Sequence, residues 1–248
     1  SDLSGVGVAV PGLFNADGTI GLFPNLPGDW PGFQALEPIR SATNLPTAII
    51  NDARAFTLGE AIMGAALGKK VVACLVIGTG VGGGIVIDGK IQLGANGAAG
   101  EIAHQIVKFD GPLCGCGARG CAEPLTNSAA IATLAGTKTA EEAYKNAVAG
   151  DEKALAAFKE VAHWIAITLT NIMVVLVPDT IIIGGGVAQS GDILLKEIRT
   201  AMHERAHLYK VSDINVVPAT LGFYAGSIGA ALYGAITAGA QLSLISTT

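Results

Sequence analysis

The chain has 248 residues, half of them apolar and only 14% charged, and 15 Lys and Arg against 20 Asp and Glu give a net charge of −5. That balance excludes a disordered chain, allows one large or two modest domains, and, with no basic run beyond Lys69-Lys70, speaks against a nucleic-acid partner. The longest apolar stretch, WIAITLTNIMVVLV, contains Thr and Asn and is shorter than the ~20 residues a membrane span requires; with no signal-peptide pattern at the start, a soluble cytoplasmic protein without a membrane partner is expected.

Residues 4–10 alternate small and apolar side chains and stop at Pro11-Gly12, the pattern of a strand before a turn. Asp17-Gly18 supplies hairpin chemistry between LFN and TIGLF. The Pro- and Gly-rich loop 24–33 holds Asn25 and Trp30, and reads equally as a binding edge or a plain connection. A short helix over 34–43 leads to the strand TAIINDA. Asn51 and Asp52 lie at its carboxyl end, before an alanine-rich helix over 53–68. Asp52 is there either a helix N-cap or a general base aimed into a cleft.

Next come VVACLVIG, a glycine run and IVIDGKI. Gly78, Gly80 and Gly83 spell GxGxxG after a strand, but a hairpin turning at Asp88-Gly89 follows where a dinucleotide motif needs a helix. A strand, a glycine loop and a second strand remain, whose bare amides can cradle phosphate. Cys74 lies inside the first of these strands and reads as a core thiol.

Residues 96–123 concentrate the polar chemistry. Cys114, Cys116 and Cys121 form CxCGxxGC, and His104 precedes them by ten positions, offering one imidazole and three thiolates to a tetrahedral zinc. A disulfide with one spare thiol is the alternative, disfavoured in a reducing compartment. If GAAGEIAH opens a helical turn, Glu101 and His104 share a face, and one ring nitrogen can hold the metal while the other meets a ligand hydroxyl. Glu123 would be set by the same clamped loop.

Helices follow, capped by Asn127 or Ser128, by Thr139 and by Asp151. The last runs to about Leu176 with Leu155, Phe158, Val161, Ile165, Leu169 and Ile172 on one face, and His163 falls off that stripe. Gly184, Gly185 and Gly186 then join a strand to a helix, as either a seat for a nucleotide or a tight turn packed on its own helix. HERAH at 203–207 matches a zinc-protease signature but lies at a helix end with no third ligand following. A strand NVVPATLG and the small-residue helix YAGSIGAALYGAI follow.

Taken together, GTGVGGGIV, GANGAAGEIAH, the CxCGxxGC run followed by Glu123, and IIIGGGVA resemble the ROK family of sugar kinases and repressors over nearly the whole chain, and most resemble its bacterial glucokinases. The resemblance implies a two-domain α/β fold, actin-like and ribonuclease-H-like, with a zinc-binding loop. Residues 1–54 with about 232–248 would form a small domain, and 55–231 the large one. It implies ATP-dependent phosphorylation of a hexose, D-glucose first, with Asp52 as base. Asn25, Asn51, Glu101, His104 and Glu123 would bind the sugar; His104 and the three cysteines would hold structural Zn2+. Gly78, Thr79, Gly80, Gly82 and Gly83, with Gly184 to Gly186, would line the ATP cleft, ATP acting with Mg2+. A homodimer is expected on the same ground. Family kinases also carry a DxGGT phosphate loop upstream, and no DxGGT occurs here, since Asp17-Gly18-Thr19 lacks the second glycine. The small domain is therefore expected to be N-terminally incomplete, and a sugar sensor without turnover is the alternative reading.

Overall fold

In chain order the elements are β1 (Val6–Val10), β2 (Leu13–Phe14), β3 (Ile20–Leu22), α1 (Glu37–Thr43), β4 (Thr47–Asn51), α2 (Asp52–Met63), β5 (Val71–Ile77), β6 (Val81–Ile87) and β7 (Lys90–Ile91). Then come α3 (Glu123–Thr126), α4 (Ser128–Ala135), α5 (Ala140–Val148), α6 (Glu152–Leu176), β8 (Thr180–Gly184), α7 (Asp192–Arg205), β9 (Asn215–Pro218) and α8 (Ala225–Thr237). The computed structural model describes residues 3–15, 17–22, 27–95, 97–208, 210 and 213–240. They form two compact units, 1–70 with 84–100 and 220–248, and 71–83 with 101–219. The sequence reading drew its boundaries at 54 and 232; in the structure α2 and α8 pack on each other within the first unit.

In the first unit β1 and β4 pair in parallel, Val6 opposite Thr47 through Val10 opposite Asn51. Ile50, Ala55 and Ala230 form a buried cluster against which Ala9, Ile91 and Tyr233 pack. The α2–α8 contact is made by small residues. A Cβ on Gly229 would run into the carbonyl of Ala55, and one on Gly59 into that of Ala225, so the two backbones touch directly. At the other end of α2, the Glu60 side chain is fully buried. Its carboxylate accepts from the amides of Ala65 (2.8 Å), Thr220 (2.9 Å) and Leu221 (2.7 Å) and from the Thr220 hydroxyl (3.2 Å). Burying this charge is tolerated because each lone pair finds a donor. The β6–β7 hairpin turns through Asp88 (φ 48°) and Gly89 (φ 73°), the left-handed pair of a tight hairpin turn, as the sequence implied.

The second unit is built on the parallel strands β5, β8 and β9, paired in that order. Cys74, on β5, is fully buried, as read from the sequence. Asn127, Thr139 and Asp151 cap α4, α5 and α6 by accepting amide bonds. The buried face of α6 comprises Ala154, Ala157, Phe158, Val161, Ala162, Ile165, Ala166, Leu169 and Met173. Leu155 is instead exposed and Ile172 half-buried, since the buried face runs through Ala154, Ala157 and Phe158 and so passes beside Leu155. At 25 residues α6 is long and apolar enough by length and composition to cross a membrane, unlike the shorter stretch read from the sequence; here it is the central helix of its unit. α7 ends at Arg205, so His207 lies beyond the helix and the i, i+4 geometry of a metalloprotease pair is absent.

Candidate functional site

Chemistry in an open α/β sheet gathers at the carboxyl ends of the parallel strands, and two glycine turns meet there in the second unit. At the end of β5 the Gly78 amide donates to the Gly80 carbonyl (2.9 Å), which folds the chain back into β6 and leaves Thr79 exposed at the tip. At the end of β8, Gly185 adopts φ 84°, and a Cβ there would strike the backbone of Ile77. No other residue meets both conditions. The two turns are thereby pressed together, with Gly186 open to solvent beside them. A 3-10 turn over Gly186–Ser190 intervenes before α7, so the strand does not pass straight into a helix as the sequence suggested.

A few residues along the same unit, Glu101 precedes a single 3-10 turn, Ile102–His104. The turn is tighter than the α-helical one anticipated, yet it still puts Glu101 and His104 on one face, with Oε2 3.8 Å from Nε2. That is too long for a direct hydrogen bond. A hydroxyl lying against both atoms would accept from Nε2 and donate to the carboxylate. The other ring nitrogen, Nδ1, is 3.5 Å from the Cys114 Sγ, and the Sγ atoms of Cys116 and Cys121 are 3.7 Å apart. All four donors lie within 4.8 Å of one another. Tetrahedral zinc with Zn–S of about 2.3 Å separates its ligands by about 3.7 Å, so the donor set fits zinc in both chemistry and spacing. Burial pushes the Cys114 thiol up to about 12, and burial likewise raises Cys121, whereas a backbone hydrogen bond at Ala118 lowers Cys116. A metal entering this loop therefore displaces protons from buried thiols.

Glu123 opens α3 directly after the cluster. Its Oε2 accepts from the Cys114 thiol (3.3 Å) and its Oε1 from the amide of Val81 (3.2 Å).

In the first unit, Asn51 rather than Asp52 is the N-cap of α2. Its Oδ1 accepts from Ala53 (3.0 Å) and Arg54 (3.1 Å), and its Nδ2 donates to the Gly12 carbonyl (3.2 Å). Asp52 is thus the first helical residue, exposed, with Oδ1 on the Ala53 amide (2.9 Å). Capping by the neighbour leaves the rest of that carboxylate free for chemistry. Asn51 also borders a cavity of about 680 Å3 in this unit, together with Asn15, Arg54, Leu93, Gly97 and Tyr233. Asn25 lies outside the described residues. Arg54, buried with its Nε on the Ala99 carbonyl (2.8 Å), was not singled out in the sequence. Its only signal was a cation inside an alanine-rich helix.

The family model described as "ROK family" matches residues 1–235. The glucokinase of Halalkalibacterium halodurans is 36% identical over 250 residues, covering 92% of this chain and 75% of that protein. The xylose repressor of Bacillus subtilis is 29% identical over 231 residues, covering 92% of this chain and 60% of the repressor. Among solved structures, a ROK family glucokinase from Streptomyces griseus in complex with glucose and AMPPNP superposes with a TM-score of 0.82 at 30% identity, covering 94% of this chain and 82% of that one.

Proposed function

The chain belongs to the ROK family and has its actin-like, ribonuclease-H-like α/β fold, and on that premise we propose that it phosphorylates a hexose at the expense of ATP, D-glucose being the first substrate to test. The observation that carries this reading is the pair of glycine turns pressed together at the ends of β5 and β8 by Gly185. They offer bare amides for phosphate oxygens in the same unit as the Glu101–His104 pair. In this reading Glu101, His104 and Glu123 take up sugar hydroxyls, with Asn51 and Asn25 as further polar contacts. Gly78, Thr79, Gly80, Gly82, Gly83 and Gly184 to Gly186 receive the nucleotide.

Asp52 accepts the proton of the attacking hydroxyl as its oxygen bonds to the γ-phosphorus and the bond to the bridging oxygen breaks. Its position supports the role, since Asn51 meets the capping demand of α2 and Asp52 remains exposed. Mg2+ bound with ATP would neutralise phosphate charge, and Zn2+ on His104, Cys114, Cys116 and Cys121 would fix the loop that carries Glu123. Thiolate ligation agrees with a reducing, cytoplasmic setting. With Nδ1 of His104 facing the cluster, zinc ligation there would leave the proton on Nε2, which would donate to a hydroxyl.

A second reading, a sugar-binding regulator without turnover, is favoured by the similarity to the xylose repressor over 92% of the chain. Hexose-dependent ADP release from Mg-ATP, measured over a panel of hexoses, decides between them. A kinase releases ADP with its preferred sugar and loses about two or more orders of magnitude in Asp52→Asn. Sugar binding without ADP release points to the regulator.

A further inference from the structure

The Glu123 side chain touches both the cysteine cluster and the glycine turn after β5. Its two carboxylate oxygens point in different directions: Oε2 accepts from the Cys114 thiol at 3.3 Å, a bond given up when that sulfur binds metal, and Oε1 accepts from the amide of Val81 at 3.2 Å, a bond the metal leaves in place. Val81 is the residue at which the turn re-enters a strand. The turn is fitted to this carboxylate, since a Cβ on Gly80 would lie 2.9 Å from Oε1. A second link runs parallel to the first. The amide of Ser128 donates to the Gly78 carbonyl (2.9 Å), and Asn127, just before it, donates its own amide to the Glu123 carbonyl (3.1 Å). Among the described hydrogen bonds, the turn's remaining one is internal, Gly78 to Gly80.

We propose that Glu123 is a positioning residue for the glycine turn 78–81, through which the order of the cysteine loop sets the geometry of the phosphate-binding amides. The role is separate from contact with a sugar hydroxyl, because it uses Oε1 and a backbone amide. Only the consequence for nucleotide rests on the kinase reading above. A carboxylate that merely bound sugar would leave the turn indifferent to its loss. Before Val81 the turn consists of Gly78, Thr79 and Gly80, none of which has an apolar side chain with which to hold its shape.

Amide hydrogen exchange on the zinc-loaded chain tests the positioning without any nucleotide. Glu123→Ala is expected to speed exchange of the peptide carrying Val81 by about tenfold, the loss of one hydrogen bond to a charged acceptor, while peptides from β8 and α6 keep their rates. Glu123→Gln keeps an oxygen for that amide and is expected to restore protection. Gly80→Ala, which leaves Glu123 in place but crowds it, is expected to speed the same peptide. Stripping the metal with a chelator should do likewise. Wild-type exchange at Val81 in Glu123→Ala overturns the proposal, as does a metal-stripped chain whose turn exchanges at the loaded rate. Titration with a fluorescent ATP analogue then reads the consequence: weaker binding in Glu123→Ala, with recovery in Glu123→Gln. A wild-type chain that binds no nucleotide overturns the kinase reading, while the exchange rates still decide the role of Glu123.

Discussion

The α2–α8 pair of the first unit and the 101–123 loop of the second solve the same problem, fixing backbone near polar groups, by opposite means. In the first, side chains are removed: Gly59 and Gly229 let carbonyls and α-carbons meet, and the buried cluster of Ile50, Ala55 and Ala230 needs nothing but its own atoms. In the second, side chains are concentrated: one imidazole and three thiols converge within 4.8 Å, joined only by weak sulfur contacts. Shape fixes the one and ligand valence the other. Their sensitivities should therefore separate cleanly, one responding to a methyl group and the other to a chelator.

The largest effect is expected from Gly229→Val. Its side chain has to displace the Ala55 carbonyl inside a helix, which costs about 5 kcal/mol. Urea denaturation should show the cooperative transition of the first unit lost or moved to the foot of the curve, with zinc content per folded chain unchanged. A variant as stable as wild type would mean that the two helices separate easily, and the contrast drawn above would fail on its shape side.

Chelation comes next. With free zinc about a thousandfold above its dissociation constant, removing it lowers stability by about 4 kcal/mol. Cys121→Ser should mimic this even with zinc present, because Cys121 is fully buried and its three companions leave a site of weaker affinity. The metal also carries a pH signature. The Cys114 thiol is pushed up to about 12, so at neutral pH it is protonated and must release its proton to bind; zinc affinity should fall as pH is lowered. Metal titrations at pH 6 and pH 8 check the sign, and equal affinities would count against thiol ligation at this cluster.

These two regions were not equally legible. The cysteine spacing announced the cluster, because a metal's geometric demand is written in residue type. The caps at Asn127, Thr139 and Asp151 and the turn at Asp88-Gly89 were legible for the same reason, a local rule satisfied by local residues. Contacts made by small residues were harder to read. Leu155 looked like core on periodicity, but its neighbours Ala154, Ala157 and Phe158 lie on the buried face of α6, and Leu155 faces solvent. Glu60 escaped notice because a glutamate in a helix is ordinarily solvated; what could have marked it is that LGEAIMG is otherwise small or apolar on every side. The bridging role of Glu123 depends on a turn 42 residues away in sequence, and no local pattern encodes that distance.

Glu60→Gln extends the comparison to a buried charge in the unit otherwise held by shape. The substitution keeps one acceptor oxygen and replaces the other by a donor facing the amides of Thr220, Leu221 or Ala65. A loss of about 2–3 kcal/mol in urea denaturation is expected, between the effects of a lost hydrogen bond and of an unpaired buried group. A loss below 0.5 kcal/mol, on the order of a surface change, would show that the carboxylate is replaceable and that apolar packing alone fixes the segment at 220.

The smallest effect separates the two polar residues at the start of α2. Asn51→Ala removes the cap on Ala53 and Arg54 and the bond to the Gly12 carbonyl, for about 1 kcal/mol. Asn51→Ser keeps a capping oxygen but is too short to replace the Gly12 contact, and should recover most of that stability. If Asn51 serves only the helix, the serine variant also recovers sugar affinity. A serine variant that is stable but binds hexose as poorly as the alanine variant would show that the amide itself meets the ligand. The capping geometry would then double as substrate recognition, and α2 would be tied to its sugar by the same side chain that starts it.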